Sequence, residues 1–388
     1  MASTPAALLR RGDEPLRASF LELFFDLAFV LALRQLSVVL LADLSVAGVA
    51  RTVLLLLPLW WVWVVTVWFS DWFARASGRV RGLLVGTTLA VILMSVAVPQ
   101  ATDGRAVLFA GAYVAIQVGR GVVTAVALRG HPLRRRTFRI LAWFGTTGIL
   151  WLVGAAWPAV RIPVWLLALA LDYGGPRLGW PTPGLGRAQP GDLRLRGGHL
   201  TERYQQIFII ALGELVITAG LAYSATDMAA AQSVGFLLSF AAAVLIGLLY
   251  VTPAGQQLGA ALDERNPSRF GVLTNDIHLI TIAGVVATSV AADLVIAHPT
   301  DRGSGIEVAL TVAGPAFFLA GRVGLSAAIY RRVSWPRLLG LLGLLLTAVA
   351  GYALPLLGVS ATMAAVLLVV ALLDRRLDRV ESGRRAER

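Results

Sequence analysis

The sequence predicts an all-α fold, a polytopic transmembrane helical bundle of about twelve helices, or ten if its two shortest apolar stretches do not span. Three observations predict it. Of 388 residues, 57% are hydrophobic and only 14% charged, and the mean hydropathy is +0.75, more apolar surface than a water-soluble chain of this size can cover. The apolar residues are gathered into stretches near the roughly 20 residues that cross a hydrocarbon core. Finally, arginine is concentrated in alternate connections between those stretches, as expected of a chain that threads back and forth through a membrane.

The basic start of the chain, with Arg10, Arg11 and Arg17, looks like the charged region of a signal peptide. The apolar run after it holds Glu22, Asp26 and Arg34, lacks a small-residue cleavage site and is long enough to span, so it reads as a retained first helix. The stretches fall at about 19–41, 52–70, 82–101, 105–128, 139–156, 204–223, 233–256, 272–298, 305–330 and 338–356, with two shorter ones near 159–173 and 359–373. A connection rich in Gly, Pro and Arg separates six helices from six. This gives an N-terminal half (1–173), a linker (174–198) with the composition of a flexible cytoplasmic segment, a C-terminal half (199–373) and a basic tail (374–388). Sliding the sequence by 180 residues lays Glu22 on Glu202 and Arg34 on Glu214, a hint of the parallel repeats of transporters.

If the N-terminus is inside, the even-numbered connections should be basic. They hold Arg75, Arg79 and Arg81, then Arg129, Arg134, Arg135, Arg136 and Arg139, then Arg177, Arg187, Arg194 and Arg196, then Arg265 and Arg269, and finally Arg331, Arg332 and Arg337. Both termini are therefore expected in the cytoplasm, with the chain in the inner membrane. The +12 net charge, carried by arginine with no lysine, reports this topology and gives no reason to expect a nucleic-acid partner. Cysteine is absent, which excludes disulfides, thiolate metal sites and cysteine nucleophiles.

Ionisable groups inside spanning segments are costly and point to function. Glu22 and Asp26 lie four apart on one helix face, with Arg34 two turns deeper. Asp71 ends the second stretch. His199, Glu202 and Arg203 open the seventh at helical spacing, with Glu214 further in; Asp276 and His278 enter the ninth, which leaves with Asp293. Arg120 and Arg322 lie on the stretches at 105–128 and 305–330. By the topology above, Glu22, Asp26, Asp71, His199, Glu202, Arg203, Asp276 and His278 gather toward the cytoplasmic side and Arg34 and Glu214 near the midplane. That describes a pocket opening inward rather than a continuous pore. Groups in a first or last turn, such as Asp71, His199, Arg203 and Asp276, also reach water simply by snorkelling. Trp60, Trp61, Trp63, Trp68 and Trp72 crowd the second stretch, with Trp143 and Trp151 on the fifth, as interfacial belt, core packing or cavity wall.

Two segments, LELFFDLAFVLALRQLS at 21–37 and HLTERYQQIFIIALGELVI at 199–217, resemble the bacterial low temperature requirement protein A (LtrA) family. Glu22, Leu23, Phe24 and Asp26 keep its first-helix motif; His199, Glu202, Arg203, Gly213 and Glu214 keep the second. A weaker likeness joins His278 to Asp293. Many relatives end the second helix in an acidic cluster, whereas DWFARASGRVR at 71–81 keeps only Asp71. The resemblance implies a class of membrane protein but no reaction.

Two functions fit these residues. An intramembrane enzyme acting on a prenyl or lipid diphosphate, in terpene cyclase or prenyl transfer chemistry, needs carboxylates for Mg²⁺, arginines for phosphate oxygens and an apolar chamber. Glu22, Asp26 and Glu202 are the candidate metal ligands. The catalytic candidates are these three with Arg203, Glu214, His199 and His278, while Arg34, Arg120, Asp71 and Asp276 would hold the ligand. No DDxxD-type motif is present. The alternative is a proton- or cation-coupled transporter or channel relaying through Glu214, Arg34, Asp26 and the histidines. The expected partners are membrane lipid, an amphipathic or isoprenoid small molecule and a second copy of the chain in a homo-oligomer.

Overall fold

The computed structural model describes residues 18–73, 77–188, 195–251, 253–264 and 267–386. Arg10, Arg11, Arg17, Arg75, Arg194 and Arg265 lie outside them. The described residues form thirteen α-helices and no named strand. They are α1 (Phe20–Ala42), α2 (Val46–Trp72), α3 (Gly78–Ala97), α4 (Ala106–Ala127), α5 (Leu133–Ala156), α6 (Arg161–Leu178) and α7 (Gly197–Ser224), followed by α8 (Ala230–Tyr250), α9 (Pro253–Glu264), α10 (Pro267–Ala297), α11 (Gly305–Tyr330), α12 (Trp335–Ala350) and α13 (Leu356–Ala386). Every expected stretch is helical, including both short ones. The stretch expected at 233–256 divides, because α8 stops at Tyr250 and Pro253 opens α9, the first helical position being where proline's missing N–H costs nothing.

Eleven helices are long and apolar enough to cross a membrane. The exception among the twelve expected is α6, whose eighteen residues include Arg161, Asp172 and Arg177. Outward faces are apolar too: Leu338, Leu339, Leu342, Leu345 and Leu346 on α12 are exposed, which only a lipid solvent makes favourable. By contrast α2 buries 89% of its apolar window.

The described residues fall into two compact units. The first comprises Met1–Val39, Val49–Ile210 and Leu258–Asn275, the second Leu40–Gly48, Ala211–Gln257 and Asp276–Arg388. In the first, α4 packs against α3 and α5, and α5 against α6. Phe109, Tyr113, Trp151 and Trp165 make the centre of that layer, with ring centroids 4.8 to 6.3 Å apart. Here α6 carries a buried acid that the sequence reading passed over. Asp172 accepts from the Tyr113 hydroxyl at 2.5 Å and from Trp151 Nε1 at 3.2 Å. Buried hydroxyl and indole donors need an acceptor in a dry layer, and a single carboxylate serves both.

In the second unit α8 packs on α13, and α11, α12 and α13 pack on one another. The α10 and α11 backbones approach so closely that a Cβ on Gly284 would lie 2.5 Å from the Phe318 nitrogen and one on Gly314 2.6 Å from the Thr288 nitrogen. Small residues permit such contact between membrane helices. At one end of this unit, Arg337 Nε donates to Asp374 at 2.9 Å and its NH1 to Ser326 Oγ at 2.8 Å, tying α12 to α13 and α11.

Candidate functional site

The first unit collects most of the polar residues singled out above. The start of α1 is fixed by a reciprocal cap: the Ser19 N–H donates to Glu22 Oε2 at 2.7 Å and the Glu22 N–H to Ser19 Oγ at 3.3 Å, the capping-box arrangement. This leaves Glu22 Oε1 facing inward, 3.0 Å from His199 Nε2 on α7. The other ring nitrogen of His199, Nδ1, lies 3.0 Å from Asp71 Oδ1 at the end of α2. All three side chains are buried. One imidazole therefore bridges two carboxylates, an arrangement that one proton in each gap satisfies. Asp71 is held in turn by the Arg196 backbone N–H, which donates to Oδ2 at 2.9 Å.

One turn along α1, Asp26 makes a second pair. Arg203 NH2 donates to its Oδ1 at 2.5 Å and Trp63 Nε1 to the same oxygen at 2.9 Å; Arg203 NH1 reaches Gln206 on its own helix at 3.1 Å. Asp26 and Arg203 are both sealed from solvent, so snorkelling does not account for Arg203, nor for His199 or Asp71. Glu202, by contrast, is half-buried and accepts from Gln206 at 3.3 Å. The three carboxylates expected to bind Mg²⁺ are thus directed at different partners: Glu22 at His199, Asp26 at Arg203 and Trp63, Glu202 at Gln206. Among the described residues, no three His, Cys, Asp or Glu side chains form a group that could hold a metal ion.

Beside Asp71 lies a cavity of about 580 Å³. Trp68, Phe69 and Trp72 of α2, Phe144 of α5 and Trp180 give it an aromatic wall; Arg120, Arg136 and Arg196 bring three guanidinium groups, and Asp71 and Asp263 two carboxylates. The tryptophans of α2 therefore serve as packing and cavity wall. Arg136 lies flat over Trp72, its central carbon 3.6 Å from the ring centroid, a cation–π contact.

Trp180 reaches the wall because the connection after α6 turns back sharply. Gly179 and Trp180 both have positive φ, 73° and 47°, and the Trp180 N–H donates to Gly175 O at 2.8 Å. Arg139 NH1 holds the turn by donating to Arg187 O at 2.9 Å, and Trp143 Nε1 by donating to Pro181 O at 3.0 Å. The described part of the 174–198 connection is thus a hydrogen-bonded turn that builds the cavity.

Arg120 is the residue that gives the cavity its character. It is buried, donates from NH1 to Thr66 Oγ1 at 2.9 Å and from NH2 to Gln117 Oε1, and has no carboxylate at ion-pair distance among the described residues. A buried cation held only by neutral acceptors is costly, and its position in a cavity wall suits it to an anion.

The remaining sequence candidates lie elsewhere. Arg34 is half-buried on α1. Glu214 belongs to the second unit, where Thr218 Oγ1 and Ser289 Oγ donate to its two oxygens at 2.7 and 2.5 Å; Asp276 and His278 lie on the part of α10 in the same unit. Arg136, Arg196, Gln117, Asp172 and Asp263 were not singled out as site residues from sequence. The first two were read as loop charges. Only Gln117 and Arg120, three apart and so on one helix face, left a local signal.

The family model of the bacterial low temperature requirement A protein (LtrA) matches residues 17–372. The chain belongs to the LtrA family. A relative from Rhizobium meliloti (strain 1021), described as uncharacterized protein RA0937, is 35% identical over 341 residues, 86% of this chain and 83% of its own length. No solved structure matches. Both motif segments of the family, at 21–37 and 199–217, feed the first unit's cluster: Glu22 and Asp26 from one, His199 and Arg203 from the other.

Proposed function

We propose that this LtrA protein binds an amphipathic anion, of the prenyl or lipid phosphate class, in the cavity of its first unit and acts on it there as an intramembrane enzyme. The observation that carries the reading is Arg120, a buried guanidinium without a carboxylate partner in an aromatic-walled cavity. Arg136 and Arg196 add charge for a phosphate head, and guanidinium groups suit its oxygens because they donate in a planar fork. The aromatic wall suits an apolar tail. Mg²⁺ enters this reading as the ion that accompanies a diphosphate. The alternation of arginines among the connections supports an inner-membrane topology with both termini in the cytoplasm, in which α6 is the twelfth crossing.

The test is binding of farnesyl diphosphate to the purified protein in lipid nanodiscs, with and without Mg²⁺, followed by product analysis. Arg120→Gln removes one charge-assisted contact worth about 1.5–3 kcal/mol, so affinity should fall by about tenfold to 150-fold. Equal affinity in wild type and variant would remove Arg120 from the site. The Glu22, His199 and Asp71 chain favours a second reading, a proton-coupled secondary transporter of the same class of anion. Binding without any product, with flux in proteoliposomes, would decide for it.

A further inference from the structure

The cluster of Glu22, His199 and Asp71 does more than hold three helices together, because one end of it is part of the cavity wall and the other is not. Asp71 lines the cavity. Behind it, His199 Nδ1 stands 3.0 Å from Asp71 Oδ1, and His199 Nε2 stands 3.0 Å from Glu22 Oε1. Glu22 lies in the first turn of α1, beside the half-buried Ser19. Two gaps of hydrogen-bond length, bridged by the one side chain that can accept a proton on one nitrogen while releasing another, make a continuous path from the start of α1 to the cavity.

We propose that Glu22, His199 and Asp71 form a proton relay ending on the cavity wall, and that one proton is taken up for each anionic head group bound there. This rests on the cavity being an anion site, and it holds whether the anion is then converted or carried. A head group arriving beside Asp71 repels its carboxylate, and protonation of Asp71 removes the repulsion. With one proton in each gap, the Nδ1 proton of His199 moves to Asp71 Oδ1 as the proton shared with Glu22 moves onto Nε2. Asp71 is then a neutral acid and Glu22 a carboxylate, and a proton from water reloads Glu22. No bond between heavy atoms is made or broken, and the net change is one proton consumed.

The charged groups around the relay are Asp26 of α1 and Arg203 of α7, joined to each other at 2.5 Å, together with Arg196 and Asp263. The last two line the cavity, and Asp263 accepts the Gly197 N–H at 2.8 Å. Asp26 and Arg203 compensate one another, while Arg196 and Asp263 face the anion directly. Asp71 alone joins the cavity to the imidazole.

The experiment uses the full chain in nanodiscs and a fluorescent long-chain alkyl sulfonate, an anion whose own charge is fixed between about pH 5 and about pH 9. Its dissociation constant is measured across that range, and proton uptake on binding is followed with a pH dye in weak buffer. Wild type should take up one proton per sulfonate, with the dissociation constant rising toward tenfold per pH unit on the alkaline side. Asp71→Asn, which imitates the protonated acid, should bind with the low-pH affinity at every pH and take up no proton through this group. Glu22→Gln should still bind, with proton uptake slowed at least tenfold. Binding by wild type with no proton uptake and a flat pH profile would overturn the relay and leave the anion site standing. An Asp71→Asn protein that keeps the wild-type slope, or a Glu22→Gln protein with the wild-type uptake rate, would also overturn it. Failure of wild type to bind the sulfonate and farnesyl diphosphate alike would remove the anion site, and the relay with it.

Discussion

Asp26 offers the sharpest test of how the first unit is held together. Its carboxylate takes a guanidinium hydrogen bond from Arg203 at 2.5 Å and an indole hydrogen bond from Trp63 at 2.9 Å, and neither charged side chain touches solvent. Asp26→Leu leaves Arg203 as a buried cation with Gln206 as its hydrogen-bond partner on α7, and breaking a buried pair from one side costs about 3–5 kcal/mol. The Trp63 N–H loses its acceptor as well, at about 1–3 kcal/mol. Arg203→Met leaves the carboxylate with Trp63 and should cost a similar 3–5 kcal/mol. The double variant removes both charges, and replacing a buried pair by apolar residues of similar volume is often close to neutral. Its cost should therefore be about that of the lost Trp63 contact, several kcal/mol below the sum of the single variants. The assay is equilibrium unfolding in mixed micelles, with the two single and one double variant in a cycle. Single variants that each cost under about 1 kcal/mol, or a double variant that costs their sum, would refute a charge pair sealed from water.

Arg120→Met should leave stability unchanged or raise it while abolishing farnesyl diphosphate binding, because it removes a buried cation held by neutral acceptors; a large loss of stability in the same unfolding assay would mean that Arg120 is structural. Gly314→Val should destabilise the second unit by about 1–3 kcal/mol or more, since even a Cβ there meets the Thr288 nitrogen at 2.6 Å. A thermal midpoint equal to wild type would show that α10 and α11 can separate without cost. Trp72→Ala should free Arg136 from the ring it covers at 3.6 Å and weaken sulfonate binding severalfold, with loss of the aromatic wall as the cause; unchanged affinity would place the apolar tail elsewhere.

Composition and periodicity determined the fold class and nearly every helix, because lipid imposes a length and an apolarity on each crossing that can be counted along the chain. Even the two short stretches, now α6 and α13, were visible this way. The sequence also marked Glu22, Asp26, His199 and Arg203, since charges in apolar helices stand out against their neighbours. It did not reveal their pairing. Glu22 and Asp26 share a helix face and looked like two ligands of one metal, yet α7 sets His199 against the first and Arg203 against the second. Nor could it show the cavity. Arg136 and Arg196 look like any other loop arginines, and Trp180 sits in a connection whose composition suggests flexibility. Only the turn at Gly179 and the approach of α2, α4 and α5 bring them to Arg120. Helices form from contacts within a few residues, and the local pattern is enough to specify them. A site is made by residues far apart in the chain, such as His199 and Glu22, which are 177 positions apart, and which partner each charge meets is decided by packing.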